Sequence, residues 1–412
     1  MKQYIFMTSN IYLVGGIQNY VASKIKYLKE NDWQVYVFFC SGDNGDCAYN
    51  ILDEYRDMEI KELVLYPGAW TRNIVKETLN KMVSFIFSTD SDIIVESHNS
   101  ILALWGELLA ERLNAKHMCF ICNETFDSKY DCFRDNIPFF EFKYKRKELY
   151  GIQKNSLLDL FGESKYLTYN EDFVFIAAID GSVQDVFNKQ VSCMKMQDIN
   201  ICFIGREKKL FHEILCGVKE FAIKHSSNTI QFVIVGKVSE KRIEITNIFD
   251  GAKNICVNYL GDLVPIPREL FKKVDVVIAT SGCACIAATE NVPVIVADAI
   301  HHKAIGVLGY TTEEMSFSKE KYEYVEVLED ILFNDLCNNK EFHLPEIIMD
   351  DSSNQYKNHF LYVEKSNNEK EYYQNIMNAN RNYYKCLGYY LRRDFPCVIK
   401  LYRFLRGFLH TD

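Results

Sequence analysis

Short apolar runs alternate with amphipathic stretches from the start of this chain. Residues 4–7 and 35–39 are apolar throughout, and between them residues 17–30 carry Val21, Ile25 and Leu28 at helical spacing. The outer two runs read as strands buried on both faces, and the middle one as a helix lying over them. The alternation continues with a strand at 93–95, a helix at 101–113 and a strand at 118–121. Strands apolar on both faces, separated by helices, mean a parallel sheet with helices on either side. Residues 127–155 are less regular and locally basic (Lys143, Lys145, Arg146, Lys147), the composition of a solvated helix face. After a polar stretch at 180–197 the pattern restarts. It runs through strands 201–204, 231–235, 255–259, 274–279 and 294–297, with helices at 210–224, 240–248, 267–272 and from Ser281 onward. Strands stop near Thr311, and 319–412 reads as mostly helical.

This predicts an α/β protein with two Rossmann-like doubly wound domains facing a cleft, plus C-terminal helices. The expected boundaries are a first domain at 1–180, a linker at 181–197, a second domain at 198–318, and a helical region at 319–412 that packs back on the first domain. A length of 412 residues has room for two such domains. With 48% apolar and 25% charged residues the chain is globular in composition. Lys and Arg number 47 against 56 Asp and Glu, and the net charge of −9 argues against a general nucleic-acid binder. No apolar run is long enough for a membrane span and the start lacks a signal-peptide pattern, so a cytoplasmic location is expected. Among the 14 cysteines, Cys40, Cys202 and Cys256 lie in or beside apolar runs, as buried thiols in a reducing compartment would. Cys119 and Cys122 form a C-x-x-C inside a strand, with no helix start after it and no second pair for zinc.

Candidate chemistry gathers where strands end. Gly15-Gly16 follows the first apolar run, and Gly205-Arg206 closes the run at 201–204. Glycine lets backbone approach a ligand, and the helix that follows offers unpaired N–H groups, so both turns are candidate donor-binding elements. Arg206, with Lys208 and Lys209 just after it, suits a diphosphate: Arg as a bidentate fork, Lys as a mobile point charge. Thr280-Ser281-Gly282 is the matching turn at another strand end, with Ser281 the expected N-cap and Gly282 exposing backbone. On the first-domain side, Glu96-Ser97-His98-Asn99 and Asn123-Glu124 each follow a strand. His98 and Glu124 are the candidates for proton transfer, and Asn99 and Asn123 for contacts to an acceptor. His301-His302 reads as a surface loop, so no metal site is expected. The Gly15-Gly16 turn lacks G-x-G-x-x-G, which argues against a nicotinamide enzyme.

Several of these pieces occur in a telling order. Asn19 and Tyr20 follow Gly15-Gly16, and then come Phe203-Ile204-Gly205-Arg206, Val233-Ile234-Val235-Gly236, Tyr259-Leu260-Gly261, and Asp275-Val276 through Ser281 to Val292-Pro293-Val294-Ile295. Over roughly residues 1–312 the set resembles the GT-B-fold glycosyltransferases of family 4, retaining enzymes of bacterial polysaccharide assembly. The resemblance implies a nucleotide-diphosphate sugar held by the second domain, a saccharide or lipid-linked saccharide acceptor held by the first, and no required metal or other cofactor. It matches Arg206 with Lys208 or Lys209 to the family's diphosphate-binding pair, and Leu263 and Val264 to the loop beside the nucleotide base. It also implies a Glu pair that this chain lacks. The second Glu, which grips the ribose, falls on Ile286, the first falls near Ile278, and Asn291 replaces the following Gly. Backbone contacts at Ser281-Gly282 are the expected substitute. The departure keeps two other readings open: a non-catalytic sugar-nucleotide-binding or partner subunit, and a nucleotide-sugar epimerase.

The tail changes the expected location. Residues 383–412 carry Lys385, Arg392, Arg393, Lys400, Arg403 and Arg406 against Asp394 and Asp412, interleaved with eight Tyr and Phe. A basic, aromatic segment suits an anionic membrane surface, the rings lying at headgroup depth. The alternative is a helix that folds back on the first domain. Packing on the first domain is the expected course of the tail, and peripheral binding to the inner face of a membrane is a second reading that can hold beside it.

Overall fold

The computed structural model describes residues 2–40, 47–87, 92–123, 133–152, 156–157, 160, 173, 179, 181–206, 210–238, 242–344 and 351–378. The chain forms two compact α/β units. Unit 1 comprises Met1–Leu13, Lys24–Phe175 and Lys357–Asp412, and unit 2 comprises Val14–Ser23 and Ile176–Tyr356.

Unit 1 is built on five parallel strands in the order β2-β1-β3-β4-β5. These are β1 (Lys2–Thr8), β2 (Trp33–Phe39), β3 (Asp92–Ser97), β4 (Lys116–Ile121) and β5 (Leu149–Gly151). Its helices are α1 (Gly16–Glu30), whose first half clusters with unit 2, α2 (Arg72–Phe85), α3 (Ser100–Leu113) and α4 (Phe133–Lys145). Alternate strand residues feed the two faces. Ile5, Met7, Tyr36, Phe38, Ile93 and Val95 join α2 and α3 in one cluster. Tyr4, Phe6, Val37 and Phe39 are equally buried toward the other face. The order reverses between β1 and β3, which makes the C-terminal ends of those two strands the place for a crevice.

Unit 2 has six strands in the order β13-β12-β11-β7-β8-β9. They are β7 (Ile199–Ile204), β8 (Ile230–Val235), β9 (Ile255–Gly261), β11 (Val276–Ala279), β12 (Val294–Ala297) and β13 (Ala304–Val307). All pair in parallel except β13, which runs antiparallel beside β12. Two short strands, β6 (Val183–Gln184) and β10 (Ile266–Pro267), pair separately. The helices in chain order are α5 (Lys189–Ser192), α6 (His212–Lys224), α7 (Arg242–Ile248), α8 (Arg268–Phe271), α9 (Gly282–Thr289), α10 (Tyr324–Leu332) and α11 (Leu336–Asn339). Ile201, Phe203, Phe232, Ile234, Val276 and Ile278 enter one core cluster. Cys202, Ile204, Val233, Val235, Val277 and Ala279 enter the other. That two-sided burial is why 201–204, 232–235 and 276–279 read as unbroken apolar runs.

Helix α12 (Ser352–Lys365) leads the chain back into unit 1 at Lys357. Among the described residues, no helix is long and apolar enough to cross a membrane. The basic tail at 383–412 lies outside the described residues.

Several elements were not expected from the sequence, among them helix α2 and strand β10. Strand β5 is too short to carry a period, β13 alternates Ala and Gly with only two large residues, and α4 lies in the segment that read as irregular. The stretch expected as linker contains β6 and α5. Its polar composition is met by Asn188, whose side chain accepts from Gln190 N and Val191 N and so caps α5.

Candidate functional site

In unit 2 the strand order turns around between β7 and β11, so the crevice of this sheet lies over their C-terminal ends. Strand β7 ends in Gly205 and Arg206, and β11 ends in Thr280, Ser281 and Gly282. The two turns picked out from the sequence therefore sit on neighbouring strands at the switch point. Past the strand ends the backbone closes in a row, with Gly205 N donating to Val235 O at 3.0 Å and Gly236 N to Gly261 O at 2.8 Å. Gly236 has φ +134°, and a Cβ there would fall 2.0 Å from Gly205 O, so only glycine lets the two turns approach. Arg206 is exposed and makes no ion pair among the described residues. Unit 2 also takes in Val14–Ser23, and a Cβ built on Gly15 would lie 3.8 Å from Arg206 Nη1. Around Gly16 and Gly282 an added Cβ would meet nothing within 4 Å.

Ser281 does not do what its position promised. It has φ 55° and ψ −135°, and its side chain makes no cap bond to α9. An N-cap residue normally has extended backbone, and the positive φ here aims the hydroxyl elsewhere. Ser281 Oγ instead lies 2.6 Å from Ser316 Oγ, and Ser281 N donates to Met315 O at 2.7 Å. The 315–316 loop thus braces the turn. Ser281 gives helix α9 no side-chain cap, and the space over Gly282 is open among the described residues, an arrangement suited to an anion at the helix start.

Ile286, where the family pattern would have Glu, packs against the core instead. Leu263 is buried in the same cluster, while Val264 is half-buried in the loop after β9. Lys208, Lys209 and Glu124 lie outside the described residues.

The corresponding strand ends in unit 1 are filled by charges that satisfy one another. Lys24 Nζ, on α1, is 2.5 Å from Glu96 Oε2 at the end of β3, with both side chains fully buried. Tyr4 donates its hydroxyl to the same oxygen, and His98 Nε2 lies 2.9 Å from Glu96 Oε1. Lys24 Nζ is also 3.3 Å from His359 Nδ1 on α12 and stands over the rings of Tyr4 and Phe120. Burial alone would raise the Glu96 carboxyl, but Lys24 and His98 outweigh it and hold it far below the usual range. Burial lowers Lys24 against the opposing pull of Glu96, and burial followed by Glu96 pushes Tyr4 and the Cys122 thiol upward. His98 is thus a buried partner of Glu96. Asn99 Oδ1 accepts from Leu102 N at 2.8 Å and caps α3, and Asn123 O accepts from Ser156 Oγ.

A second buried network lies nearby in unit 1. Ser97 Oγ is 3.0 Å from His117 Nε2, and His117 Nδ1 is 2.7 Å from Glu107 Oε2, the connectivity of a hydrolase triad. No substrate can reach it: all three residues are essentially buried, and a Cβ on Gly106 would fall 2.2 Å from Ser97 Oγ. Lys143 bridges Glu107 to Glu148, Arg146 joins Glu148, and Tyr373 N donates to Glu107 Oε1 at 2.8 Å. Its geometry fits a structural brace for the returning chain. The sequence held a signal for both networks, since Lys24 and Glu107 stand on otherwise apolar helix faces.

Solved structures share this architecture over nearly their whole length. One is a glycosyltransferase from Rickettsia africae ESF-5, at 16% identity, covering 89% of this chain and 100% of that one, with a TM-score of 0.57. Another is Anabaena HepE in complex with UDP, at 10% identity, 94% and 99% coverage and a TM-score of 0.52. A UDP-N-acetylglucosamine 2-epimerase matches at 13% identity, 91% and 99% coverage and a TM-score of 0.51. The fold is GT-B. No protein-family model and no curated protein matches the chain. At these identities the likeness establishes the GT-B architecture, with two Rossmann-like domains, and does not reach the narrower family 4.

Proposed function

We propose that this GT-B protein is a glycosyltransferase of the family 4 type, retaining, which moves a sugar from a nucleotide-diphosphate donor to a saccharide acceptor, free or lipid-linked, in cell-surface polysaccharide assembly. One observation carries the donor site: Gly205-Arg206 and Ser281-Gly282 stand on adjacent strands at the point where the unit 2 sheet reverses order. The uncapped start of α9 and the Arg206 guanidinium would share the diphosphate, and their charge would stabilise it as the leaving group. UDP is the first donor nucleotide to try, because Anabaena HepE was solved with UDP, with UDP and glucose, and with UDP-glucose. The acceptor is assigned to unit 1, with Asn123 at the end of β4 as the contact to try, since His98 is held by Glu96 and Asn99 caps α3. The basic tail at 383–412 would bring the enzyme to an anionic membrane surface.

A thermal-shift series with UDP, GDP and ADP tests the donor site directly, since a ligand of the folded state raises the melting temperature. UDP is expected to stabilise the native chain and to do so far less in Arg206→Ala. No shift with any nucleotide ends the donor reading. The fold of the 2-epimerase, about as similar to this chain as that of HepE, favours one rival. Incubation with UDP-N-acetylglucosamine and no acceptor separates the two: a changed sugar on the nucleotide means epimerisation, and sugar appearing on an added saccharide means transfer.

A further inference from the structure

Away from the β7–β11 crevice, unit 2 carries a cavity of about 430 Å³ where the β9 edge of the sheet meets α5 and the residues just after it. That volume lies within the range of small-molecule sites. Four carboxamides line it: Gln190 and Gln197 from the α5 side, Gln231 from β8 and Asn258 from β9. Gln231 is 5% exposed, and its Oε1 has no hydrogen-bond partner among the described residues. An unsatisfied buried polar group is costly, so native proteins seldom keep one without a partner to come. Lys195 is the one charged residue in the described lining, and no carboxylate is among them. Met194 and Leu260 supply apolar surface.

We propose that this cavity is a second ligand site, which takes a hydroxyl-rich saccharide unit and favours one bearing a carboxylate. A carboxamide sets a donor and an acceptor side by side, which matches a sugar hydroxyl that both gives and takes a hydrogen bond. The thioether and aliphatic surface of Met194 and Leu260 suits the C–H face of a pyranose ring. The Lys195 ammonium, with no acid beside it, favours an anionic sugar and disfavours a cationic one. Gln231 stands at the start of β8, whereas the crevice lies over the C-terminal ends of β7 and β11, so the site can fill while a nucleotide occupies the crevice. It stands whether the chain transfers sugars or epimerises them.

The test uses the full chain with glucose and glucuronate as probes, read by saturation-transfer NMR with and without UDP. Both sugars are expected to bind, glucuronate more tightly, and both to persist with UDP present. Gln231→Leu should weaken them about tenfold, the equivalent of one buried hydrogen bond. That variant removes an unsatisfied group, so its melting temperature should hold or rise. Asn258→Leu, at a part-exposed position in the same wall, repeats the test should Gln231→Leu fold poorly. Glucuronate should also slow alkylation of Cys193 and Cys256, which line the cavity, and leave Cys216, outside it, unchanged. No binding of either sugar to the native chain would show that water alone fills the cavity and overturns the proposal. Undiminished binding in both variants, or displacement by UDP, overturns it as well. Failure of UDP to bind, with sugar binding intact, would sink the donor reading and leave this site standing.

Discussion

The two units place a strand-to-helix turn at the same point of the same architecture and finish it in opposite ways. In unit 1, β3 runs through His98 and Asn99 into α3, and Asn99 has extended backbone with its side chain capping the helix. In unit 2, β11 runs through Thr280 and Ser281 into α9, and Ser281 has positive φ and leaves the helix uncapped. The charges follow the same division. Lys24, Glu96, Tyr4 and His98 neutralise one another inside unit 1, while Arg206 stands exposed at the mouth of unit 2. A strand end whose donors and charges are already paired has little left for a phosphate. One whose helix start is uncapped and whose cation is unpaired among the described residues has both. The difference supports the proposed donor site in unit 2 on local chemistry, independently of any family resemblance.

The largest effect should come from breaking the closed side. Glu96→Ala leaves Lys24 buried without its carboxylate, and removing one partner of a buried pair costs about 3–5 kcal/mol. Denaturant unfolding should show that loss. The double variant Glu96→Leu with Lys24→Met, which removes both charges, should recover much of it. If the double variant is no more stable than Glu96→Ala, the pair is not what makes the single change costly.

Acid should find the same unit. Burial alone would raise the Glu107 carboxyl, but Lys143 and His117 outweigh it and depress it from 4.5 to about 2. A carboxylate depressed in the folded state contributes stability that is full above its unfolded pKa and is lost as pH falls through its folded pKa. For Glu107 the window runs from pH 4.5 down to about 2 and is worth about 3 kcal/mol. His117 acts in the same direction, because burial and then Lys143 lower it, so the unfolded chain protonates it first as pH falls. Glu107→Gln should reduce the slope of the stability profile across that window, leaving the part that Glu96 carries. A variant profile as steep as the native one would show that other carboxylates carry the acid sensitivity.

On the open side, Arg206→Ala should lower turnover by about a hundredfold or more, the scale of losing one charge-stabilising donor, and leave the unfolding midpoint nearly unchanged. An unchanged rate removes Arg206 from the diphosphate site. Large stability loss without rate loss in unit 1, and the reverse in unit 2, is the pattern the comparison requires.

How much of this could be read in the sequence depended on what each feature rests on. Both sheets were legible because burial on two faces leaves unbroken apolar runs such as 201–204, and Gly205-Arg206 and Ser281-Gly282 were legible because they break those runs. Strand β13 was not, since it is held by pairing with β12 and not by its own pattern. The conformation of Ser281 was also hidden: a serine before a helix reads as a cap, and only the 315–316 loop, far along the chain, makes it otherwise. The partners of Glu96 and Glu107 come from α1, β1, α4 and β4, so their pairing is a product of the fold. Sequence could mark Lys24 as a charge on an apolar face but could not name what it meets.

The smallest effect concerns the turn itself and separates backbone from side chain. Ser281→Ala and Ser281→Gly both lose the hydroxyl contact to Ser316. Alanine keeps a Cβ at φ 55°, ψ −135°, whereas glycine reaches that conformation without steric cost. Backbone in such a region costs about 1–3 kcal/mol, and glycine gives back part of that gain through its freer unfolded chain. The glycine variant should therefore be the more stable of the two by about 1 kcal/mol, the low end of that range. Each variant leaves the N–H groups of α9 in place, so UDP affinity should fall little in either. Equal stability of the two variants would mean that the turn is unstrained. A large loss of UDP affinity in both would mean that the Ser281 hydroxyl, and not the uncapped helix start, holds the diphosphate.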